Sequence, residues 1–485
     1  MNLRNSKIYN IMLMIMVSIL LLIIINFYNH NLYSIGILAI ISYCMFFLSW
    51  WRHYKIKLNF YTIFLAFTLA FFWGQFILLL LGIPLDSGRV LLDGRIPYNK
   101  LIETGILILN SMFLLHLGVL FSTLKINKYN DLFYNNSEKI NVNHKNNDSL
   151  KKVGYILLLI SILPSFYVLF NNLIITMTQG YGAIFQSEMY TTGGFNNITR
   201  FLSLFTMPSF LMLFITCKND KSLKYLTILF TVYLSLYFVS GSRMGGLMLL
   251  SIMFLVKHYW YKPIKIKEIA TKYIFIFIIG ITLMSTISEV RNIFFLQDSI
   301  RGTFVDGVKN VFLNNPIFSI LREMGFTFIA TATVITYSPS VVPYAYGQSY
   351  INSVLMIFPN LFWDVHPAAL TNTDIVFKNF YTQYGGIGSS FIAEAYWNFG
   401  YFSIILALVF GVIIGTLTKQ MAKYAANRNT RMFFLVVYAL QVILTYVRSD
   451  TITFWRNFTY YGVLPVIVAW LLSHFYKSSR VRQIK

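Results

Sequence analysis

The chain has 485 residues, of which 57% are hydrophobic and only 12% are charged, and its formal net charge is +22. This apolar content exceeds the range of about 45–50% that is usual for soluble globular domains, so an ordinary water-soluble enzyme is excluded. The sequence holds two cysteines and no P-loop, CxxC zinc pattern or EF-hand loop, so it predicts no cofactor, no metal site and no disulfide framework.

About twelve apolar runs are candidates for membrane-crossing helices, since a hydrocarbon core needs roughly 20 mainly apolar residues per helical crossing. The predicted helices lie near residues 8–28, 31–50, 59–82, 99–123, 153–177, 201–217, 225–241, 245–257, 273–288, 396–417, 432–447 and 458–474. No small-residue cleavage site follows the first run, so we interpret it as a retained helix and not as a secretory signal. The predicted fold is an all-α polytopic membrane protein with a single membrane domain.

Lys and Arg residues gather in alternate connections between the predicted helices. Cytoplasmic loops carry the excess of basic residues in membrane proteins. If the basic set is cytoplasmic, both termini are cytoplasmic, that side carries the whole formal surplus of +22, and the outer side is neutral by count. Membrane topology therefore accounts for the basic charge, and nucleic-acid binding is not predicted.

Two connections between predicted helices are long. Residues 124–152 are rich in Asn and Lys, which indicates a solvated cytoplasmic linker. Residues 289–395 form a predicted extracytoplasmic loop, and a loop of such length is usually either functional or disordered. Its many Phe, Tyr, Ile and Val residues argue against disorder. We expect amphipathic helices near 301–330 and 346–360, at the outer membrane interface.

Ionisable residues lie mainly at the predicted outer ends of helices and are nearly absent from helix centres, where a charge costs roughly 2.5–3.5 kcal/mol. The outer arginines are Arg200, Arg243, Arg291, Arg448 and Arg456. A planar guanidinium donates two parallel hydrogen bonds to a phosphate, so these residues are candidates for a single anion site. The alternative is that they are separate interface residues paired with the outer acids.

The segment VSGSRMGG, from Val239 to Gly246, surrounds one of these arginines. Its glycines permit a tight outer turn that projects Arg243 into a cavity, or close packing of two helices. Both interpretations are compatible with the sequence.

A second glycine-rich segment, YGGIGSSFIAEAYWNFG, ends the predicted loop and leads into a helix. Free N–H groups at a helix start favour anions, so Gly386, Gly388, Ser389 and Ser390 are candidates for a phosphate cradle, although a plain capped loop is at least as good an interpretation. Glu394 follows about one turn inside the helix. It is a candidate base toward a substrate hydroxyl, or it complements the helix dipole.

Within the loop, FPNLFWDVHPA brings Asp364 and His366 together beside Trp363. A carboxylate, an imidazole and an aromatic ring are the components of a sugar-handling site with an acid/base pair. A surface turn without chemistry is the alternative. No further ligand lies at metal-binding spacing, so a metal site is not predicted there.

Four segments resemble the bacterial O-antigen and oligosaccharide repeat-unit polymerases of the Wzy family. They are GSRMGG from Gly241, FPNLFWDVHP from Phe358, GGIGSSFIAEAYWNFG up to Gly400, and RSDTITFWR from Arg448 to Arg456. The predicted architecture is also similar, with about a dozen helices, both ends inside and one dominant outer loop.

The resemblance implies a fold of the C-type glycosyltransferase kind, acting on undecaprenyl-diphosphate-linked oligosaccharides at the outer face of the inner membrane. The outer arginines would hold the pyrophosphate while a sugar hydroxyl attacks the anomeric carbon and undecaprenyl diphosphate leaves. Glu394 is the first candidate for the base, followed by His366 and Asp364. The resemblance also implies the lipid bilayer and a separate chain-length regulator as partners.

Two other functions remain open from the sequence. An O-antigen ligase or another lipid-linked-sugar transferase would use the same kind of outer cavity with a different acceptor. A flippase or polysaccharide transporter would differ more, because it tends to retain charges inside the helix bundle, and the predicted helix centres carry almost none.

Overall fold

The computed structural model describes residues 31–85, 90–124, 148–179, 195–217, 219–240, 243–264, 315–358, 366–381 and 387–482, with the single positions 17, 24, 268, 271 and 363. Every regular element in these residues is a helix, and none of them forms a strand. The predicted all-α fold class is therefore confirmed.

The α-helices are numbered here in chain order over the described residues. They are α1 (Leu32–His53), α2 (Phe60–Leu80), α3 (Tyr98–Ser122), α4 (Asp148–Gln179), α5 (Phe195–Ser203), α6 (Thr206–Thr216), α7 (Asp220–Val239), α8 (Arg243–Val256), α9 (Pro316–Met324), α10 (Phe326–Tyr337), α11 (Gln348–Leu355), α12 (Pro367–Leu370), α13 (Thr373–Tyr381), α14 (Phe391–Phe399), α15 (Ser403–Ala426), α16 (Thr430–Thr445), α17 (Phe454–Asn457) and α18 (Leu464–Arg482). Short 3₁₀ or π-helical segments occupy Lys257–Tyr261, Gly400–Phe402, Thr451–Thr453 and Phe458–Val463.

Asparagine side chains begin several of these helices. The carboxamide oxygen of Asn31 accepts the backbone N–H of Ser34 at 2.8 Å, and the Ser34 hydroxyl accepts the N–H of Asn31 at 3.0 Å, which forms a capping box. Asn59 caps α2 in a similar way through the N–H of Thr62. These caps satisfy N–H groups that a helix start leaves without partners.

Eight helical segments in the described chain are long and apolar enough to cross a membrane. They are Leu32–His53, Phe60–Leu80, Tyr98–Ser122, Ser149–Ile175, Asn196–Thr216, Asp220–Val239, Ile317–Tyr337 and Phe391–Ala426. The predicted helices near 8–28 and 273–288 lie outside the described residues, apart from the single positions 17 and 24. The number of crossings, the cytoplasmic position of both termini, the 124–152 linker and the 289–395 loop remain predictions.

One of these segments falls where the sequence analysis expected amphipathic helices. Ile317–Tyr337 combines α9 and α10, and 67% of the residues in its most apolar stretch are buried. Its threonines lower the apparent hydropathy, but Thr331 and Thr333 donate their hydroxyl hydrogens to carbonyls four residues earlier, at 2.9 Å in both cases. Because these polar groups are satisfied within the helix, the segment is compatible with an apolar environment.

One compact unit consists of residues 1–134, 318–423 and 443–456. In this unit α1, α2 and α3 pack together, and α10 packs against α2, α3 and α14. The backbones of α2 and of the α9–α10 junction approach so closely that a Cβ atom on Gly74 or Gly325 would collide with the opposite segment. Small residues at such crossings are typical of membrane helix packing.

The second unit consists of residues 135–317, 424–442 and 457–485. Its helix α4 packs against α5, α6, α7 and α18. Aromatic residues fill part of the core: Phe210 and Phe214 contact Phe230 edge-on, at ring-centroid distances of 5.3 and 5.8 Å. Arg428 donates to the carbonyl of Trp260 at 2.5 Å and lies over its indole ring.

Candidate active site

Glu394 is the centre of a dense side-chain hydrogen-bond network among the described residues of the first unit. It is 1% exposed, and its carboxylate accepts four hydrogen bonds. The hydroxyls of Ser349 and Thr451 donate to Oε1 at 2.7 and 2.6 Å, while the Tyr446 hydroxyl and the Thr451 N–H donate to Oε2 at 2.6 and 2.8 Å. Four donors fill the roughly four lone-pair positions of an ionised carboxylate.

The start of α14 explains the position of Glu394. Ser390 is the N-cap residue, and its hydroxyl accepts the N–H of Ala393 at 3.0 Å. Thr331 of α10 contacts the same hydroxyl at 2.9 Å, so the helix start is tied to α10. Glu394 therefore lies in the first turn of α14, where the helix dipole favours a negative charge.

Asn398, one turn after Glu394, extends this network. It is fully buried, and its amide group donates to the hydroxyl of Ser349 at 2.8 Å and to the backbone carbonyl of Glu394 at 2.7 Å. Its oxygen accepts the N–H of Gly347 at 2.8 Å. The turn before α11 is thereby connected to the Glu394 carboxylate through two side chains, Asn398 and Ser349.

The segment 446–451 forms a turn that carries Arg448, and we name it the arginine turn. Two backbone hydrogen bonds join it to the start of α14 and the residues just before it: Phe391 N donates to the carbonyl of Tyr446 at 3.1 Å, and Ser389 N donates to that of Arg448 at 3.4 Å. Together with the two hydrogen bonds from Thr451 to Glu394, these contacts hold the arginine turn in place.

Asp450 anchors the arginine turn on another side. The carboxylate accepts two hydrogen bonds from Thr373 on one oxygen, from the N–H at 2.9 Å and from the hydroxyl at 2.6 Å. Burial raises the pKa of the Asp450 carboxyl above its usual range, and the hydrogen bonds from Thr373 oppose that shift. Asp450 thus connects the arginine turn to α13.

Arg448 lies beside Gly388, and the structure brings these two predicted site residues together with Ser389. The Nε atom of Arg448 is 4.0 Å from where a Cβ on Gly388 would lie, and Gly388 has φ +74°. Among the described residues, the buried Nη1 atom of Arg448 and the buried hydroxyl of Ser389 have no hydrogen-bond partner. Two buried donors without a protein acceptor, on residues that are joined by a backbone hydrogen bond, form a candidate anion site.

The backbone N–H groups of the glycine segment have a different role from the predicted phosphate cradle. Gly388 N donates to Asp374 Oδ1 at 2.8 Å, and Ser389 N donates to the Arg448 carbonyl. Both groups are therefore engaged inside the protein. Gly386 lies outside the described residues.

His366 is the N-cap residue of α12. Its Nδ1 accepts the N–H of Ala368 at 3.1 Å, and its Nε2 is buried and has no partner in the described part of the chain. A backbone N–H can only donate, so Nδ1 is unprotonated and the proton of the neutral ring lies on Nε2. The Nε2 atom of His366 therefore carries a hydrogen that it can donate. Trp363 contacts this ring edge-on at 5.0 Å, and Asp364 lies outside the described residues.

The other predicted arginines fall in different places. Arg456 is in the first unit, and its buried Nε has no hydrogen-bond partner among the described residues. Arg200 in α5 and Arg243, the first residue of α8, belong to the second unit. Arg291 lies outside the described residues.

The sequence analysis did not identify most of the side chains that form hydrogen bonds in the site. The missed side chains are Ser349, Asp374, Asn398, Tyr446, Asp450 and Thr451. Asp450 carried a signal, since it lies two residues from Arg448 in a segment that we singled out. Ser349 and Thr451 had none, because a single hydroxyl residue does not stand out in sequence. Within the described residues, no group of three or more His, Cys, Asp and Glu residues is arranged to hold a metal ion.

A family model described as "O-antigen polysaccharide polymerase Wzy" matches residues 8–479, which is nearly the whole chain. The chain belongs to the Wzy polymerase family. Family membership supports an O-antigen polymerase role, with activity on lipid-linked oligosaccharide repeat units in the bacterial inner membrane. No curated protein and no solved structure matches this Wzy chain.

Proposed function

We propose that this Wzy chain joins undecaprenyl-diphosphate-linked repeat units at the outer face of the inner membrane. A hydroxyl of an incoming unit attacks the anomeric carbon of the growing glycan. The new carbon–oxygen bond forms as the bond to the diphosphate oxygen breaks, the hydroxyl proton passes to a base, and undecaprenyl diphosphate leaves. The observation that carries this proposal is the buried Nη1 of Arg448, which has no acceptor in the described part of a Wzy chain.

Arg448 and Ser389 hold the pyrophosphate in this proposal. Both offer a buried donor with no acceptor in the described residues, and donors that are already fixed stabilise developing negative charge at little reorganisation cost. Arg456 supplies a second guanidinium from the same unit. Arg200, Arg243 and Arg291 remain candidate anion-binding residues on the basis of the sequence alone.

Glu394 acts as a positioning residue in this proposal. Its four hydrogen bonds leave little capacity to accept a proton from a substrate, and two of them come from Thr451, three residues after Arg448. We infer that Glu394 fixes the direction in which Arg448 points. This role replaces the base role that we first expected from the sequence.

His366 and Asp374 contact the substrate in this proposal. The Nε2–H of His366 donates a hydrogen bond to the leaving diphosphate or to a sugar hydroxyl. Asp374 is the proton acceptor, because one oxygen accepts the Gly388 N–H and the other has no partner among the described residues. Gly388 lies between Asp374 and the Arg448 guanidinium, so acceptor and anion site are adjacent. Asp364 stays an alternative base.

The Arg448 proposal is tested by replacing the chromosomal gene and visualising the glycan ladder on a gel. Arg448→Ala should leave single repeat units, whereas Arg448→Lys should restore part of the ladder, because Lys keeps the charge but loses the planar fork. Arg52→Ala is the matched control, since Arg52 is an exposed arginine in the last turn of α1. A full-length ladder from a normally inserted Arg448→Ala protein would overturn the proposal.

The base is tested by Asp374→Asn, with purified protein and lipid-linked repeat units in proteoliposomes. Asn keeps an oxygen for the Gly388 N–H, so the turn should stay in place while the turnover rate falls by about 10²–10⁴-fold. The Michaelis constant should change little. An unchanged turnover rate would exclude Asp374 as the base.

Accumulation of finished polymer on the lipid carrier in the gene knockout would favour the ligase alternative instead.

A further inference from the structure

Four tyrosines form a continuous cluster beside the Glu394 network, and we name it the tyrosine platform: Tyr344, Tyr346, Tyr396 and Tyr401. Neighbouring rings contact edge to face, with centroid distances of 6.1 Å for Tyr344–Tyr346, 6.2 Å for Tyr344–Tyr396 and 5.6 Å for Tyr396–Tyr401. Tyr346 is 78% exposed and Tyr401 is 55% exposed. The platform therefore presents two aromatic rings to the outside of the unit.

Tyr346 has a backbone conformation that is rare for a bulky residue. Its φ is +46°, in the left-handed region that disfavours side chains with a Cβ. Such a conformation persists only where the surrounding structure fixes it, and it clusters at binding sites. The Tyr346 side chain is mostly exposed, so packing of this side chain does not explain the strained backbone conformation.

The turn that carries Tyr346 is fixed on both sides. Ala345 N donates to the carbonyl of Trp397 at 2.9 Å, and Gly347 N donates to the side chain of Asn398 at 2.8 Å. The indole N–H of Trp397 donates to the carbonyl of Pro343 at 3.1 Å. The protein thus holds an exposed aromatic ring at a defined place.

Charged groups lie at the other end of the platform. The hydroxyl of Tyr401 donates to Oε1 of Glu103, and Lys100 forms an ion pair with Oε2 of Glu103 at 2.8 Å. A tyrosine that only anchors a helix at the membrane interface needs a wet hydroxyl and no charged pair. A pyranose ring fits both the aromatic rings and the Glu103–Lys100 pair. Its C–H face packs on an aromatic ring, and its hydroxyls bond to carboxylate and ammonium groups.

The platform is continuous with the candidate active site. Tyr396 and Glu394 lie two residues apart in α14, and Asn398 bonds both to Ser349, a donor to Glu394, and to Gly347, the neighbour of Tyr346. A glycan on the platform would therefore extend from the place where its end group reacts.

We propose that the tyrosine platform binds the oligosaccharide portion of the lipid-linked substrate, as a saccharide subsite separate from the pyrophosphate clamp. This inference rests on the proposed function for the identity of the ligand. It assigns recognition of the sugar to Tyr346 and Tyr401, with the Glu103–Lys100 pair bonding to hydroxyl groups.

The test measures binding of the strain's own repeat-unit oligosaccharide, released from its lipid by mild acid, to full-length protein in nanodiscs. Tyr346→Gly removes the ring and also relieves the left-handed strain, so the protein should stay folded while binding weakens at least about tenfold. Tyr346→Phe should bind within about twofold of the parent, because the ring face is retained. Tyr225→Ala is the control, since Tyr225 is 72% exposed but lies in the second unit.

Equal binding by the parent and a folded Tyr346→Gly protein would overturn the platform. Weakened binding together with Arg448→Ala cells that still make full polymer would support the platform and overturn the pyrophosphate clamp. Unchanged binding together with single repeat units in Arg448→Ala cells would overturn the platform and support the clamp. Equal weakening by Tyr225→Ala would also count against the platform, because the loss would then be non-specific.

Discussion

Thr451 donates to both carboxylate oxygens of Glu394, through its N–H at 2.8 Å and through its hydroxyl at 2.6 Å. Two hydrogen bonds from one residue fix the plane of the carboxylate relative to the arginine turn. Arg448 lies three residues earlier in the same turn, so its direction depends on a side chain that it does not contact in any described hydrogen bond. Glu394 should therefore affect the reaction through geometry.

Glu394→Gln should abolish the ladder while the protein still inserts. The amide nitrogen of Gln can only donate, so the two donors to one of the carboxylate oxygens lose their acceptor and must reorient, at a cost of about 1–3 kcal/mol in unfolding free energy. The measurements are the gel ladder and the thermal unfolding midpoint in detergent. Asp220→Asn, at an exposed acid of the second unit, is the control and should change neither. A normal ladder in Glu394→Gln cells would contradict a positioning role.

His366→Asn and His366→Asp form a matched pair. Both shorter side chains keep an oxygen for the Ala368 N–H, so the start of α12 should stay capped in each. Asn also keeps a donor, whereas Asp removes it and adds a negative charge near the proposed diphosphate. We expect a shortened ladder from His366→Asn and single repeat units from His366→Asp. Equal ladders from the two variants would show that the Nε2–H is not used.

Gly388→Ala should shorten the ladder because it disturbs the residue beside Arg448. Gly388 has φ +74°, and a Cβ there costs about 1–2 kcal/mol of backbone strain. Gly82→Ala is the control: Gly82 has φ +68° and nothing within 4 Å of an added Cβ, so it suffers the same strain without contacting a site residue. Both variants should lower the unfolding midpoint by similar amounts. Only Gly388→Ala should alter the glycan ladder, and a similar effect of both on the ladder would argue against a role of Gly388 in the site.

Asp450 should make stability depend on pH. Burial raises the pKa of its carboxyl in the folded protein above the unfolded value of about 3.9, so the folded state binds this proton more tightly. Stability should therefore fall as pH rises from about 4 through the raised pKa, and should stay reduced above it. Asp450→Asn can keep both hydrogen bonds from Thr373 and should flatten this dependence. Unfolding midpoints from pH 4 to 8 check the prediction, and parallel profiles for the two proteins would contradict it.

The membrane character of this protein was predictable from its sequence. Apolar runs of about 20 residues require helices in a bilayer whatever their neighbours are, because backbone groups in lipid must bond within the segment. The runs near 31–50, 59–82 and 99–123 correspond to α1, α2 and α3. Ile317–Tyr337 was not among the predicted apolar runs, although it is long and apolar enough to cross a membrane and its threonine hydroxyls bond to the helix backbone.

The chemistry of the candidate site was decided by the tertiary structure. Sequence composition singled out Glu394, Arg448, Gly388 and Ser389 as types of residue that handle anions and protons. It had no means of finding that Ser349, Tyr446 and Thr451, which are 45, 52 and 57 positions away from Glu394 along the chain, would surround that carboxylate. A hydrogen bond depends on distances of about 3 Å and on direction, and only the packing of α11, α14 and the arginine turn brings those atoms together.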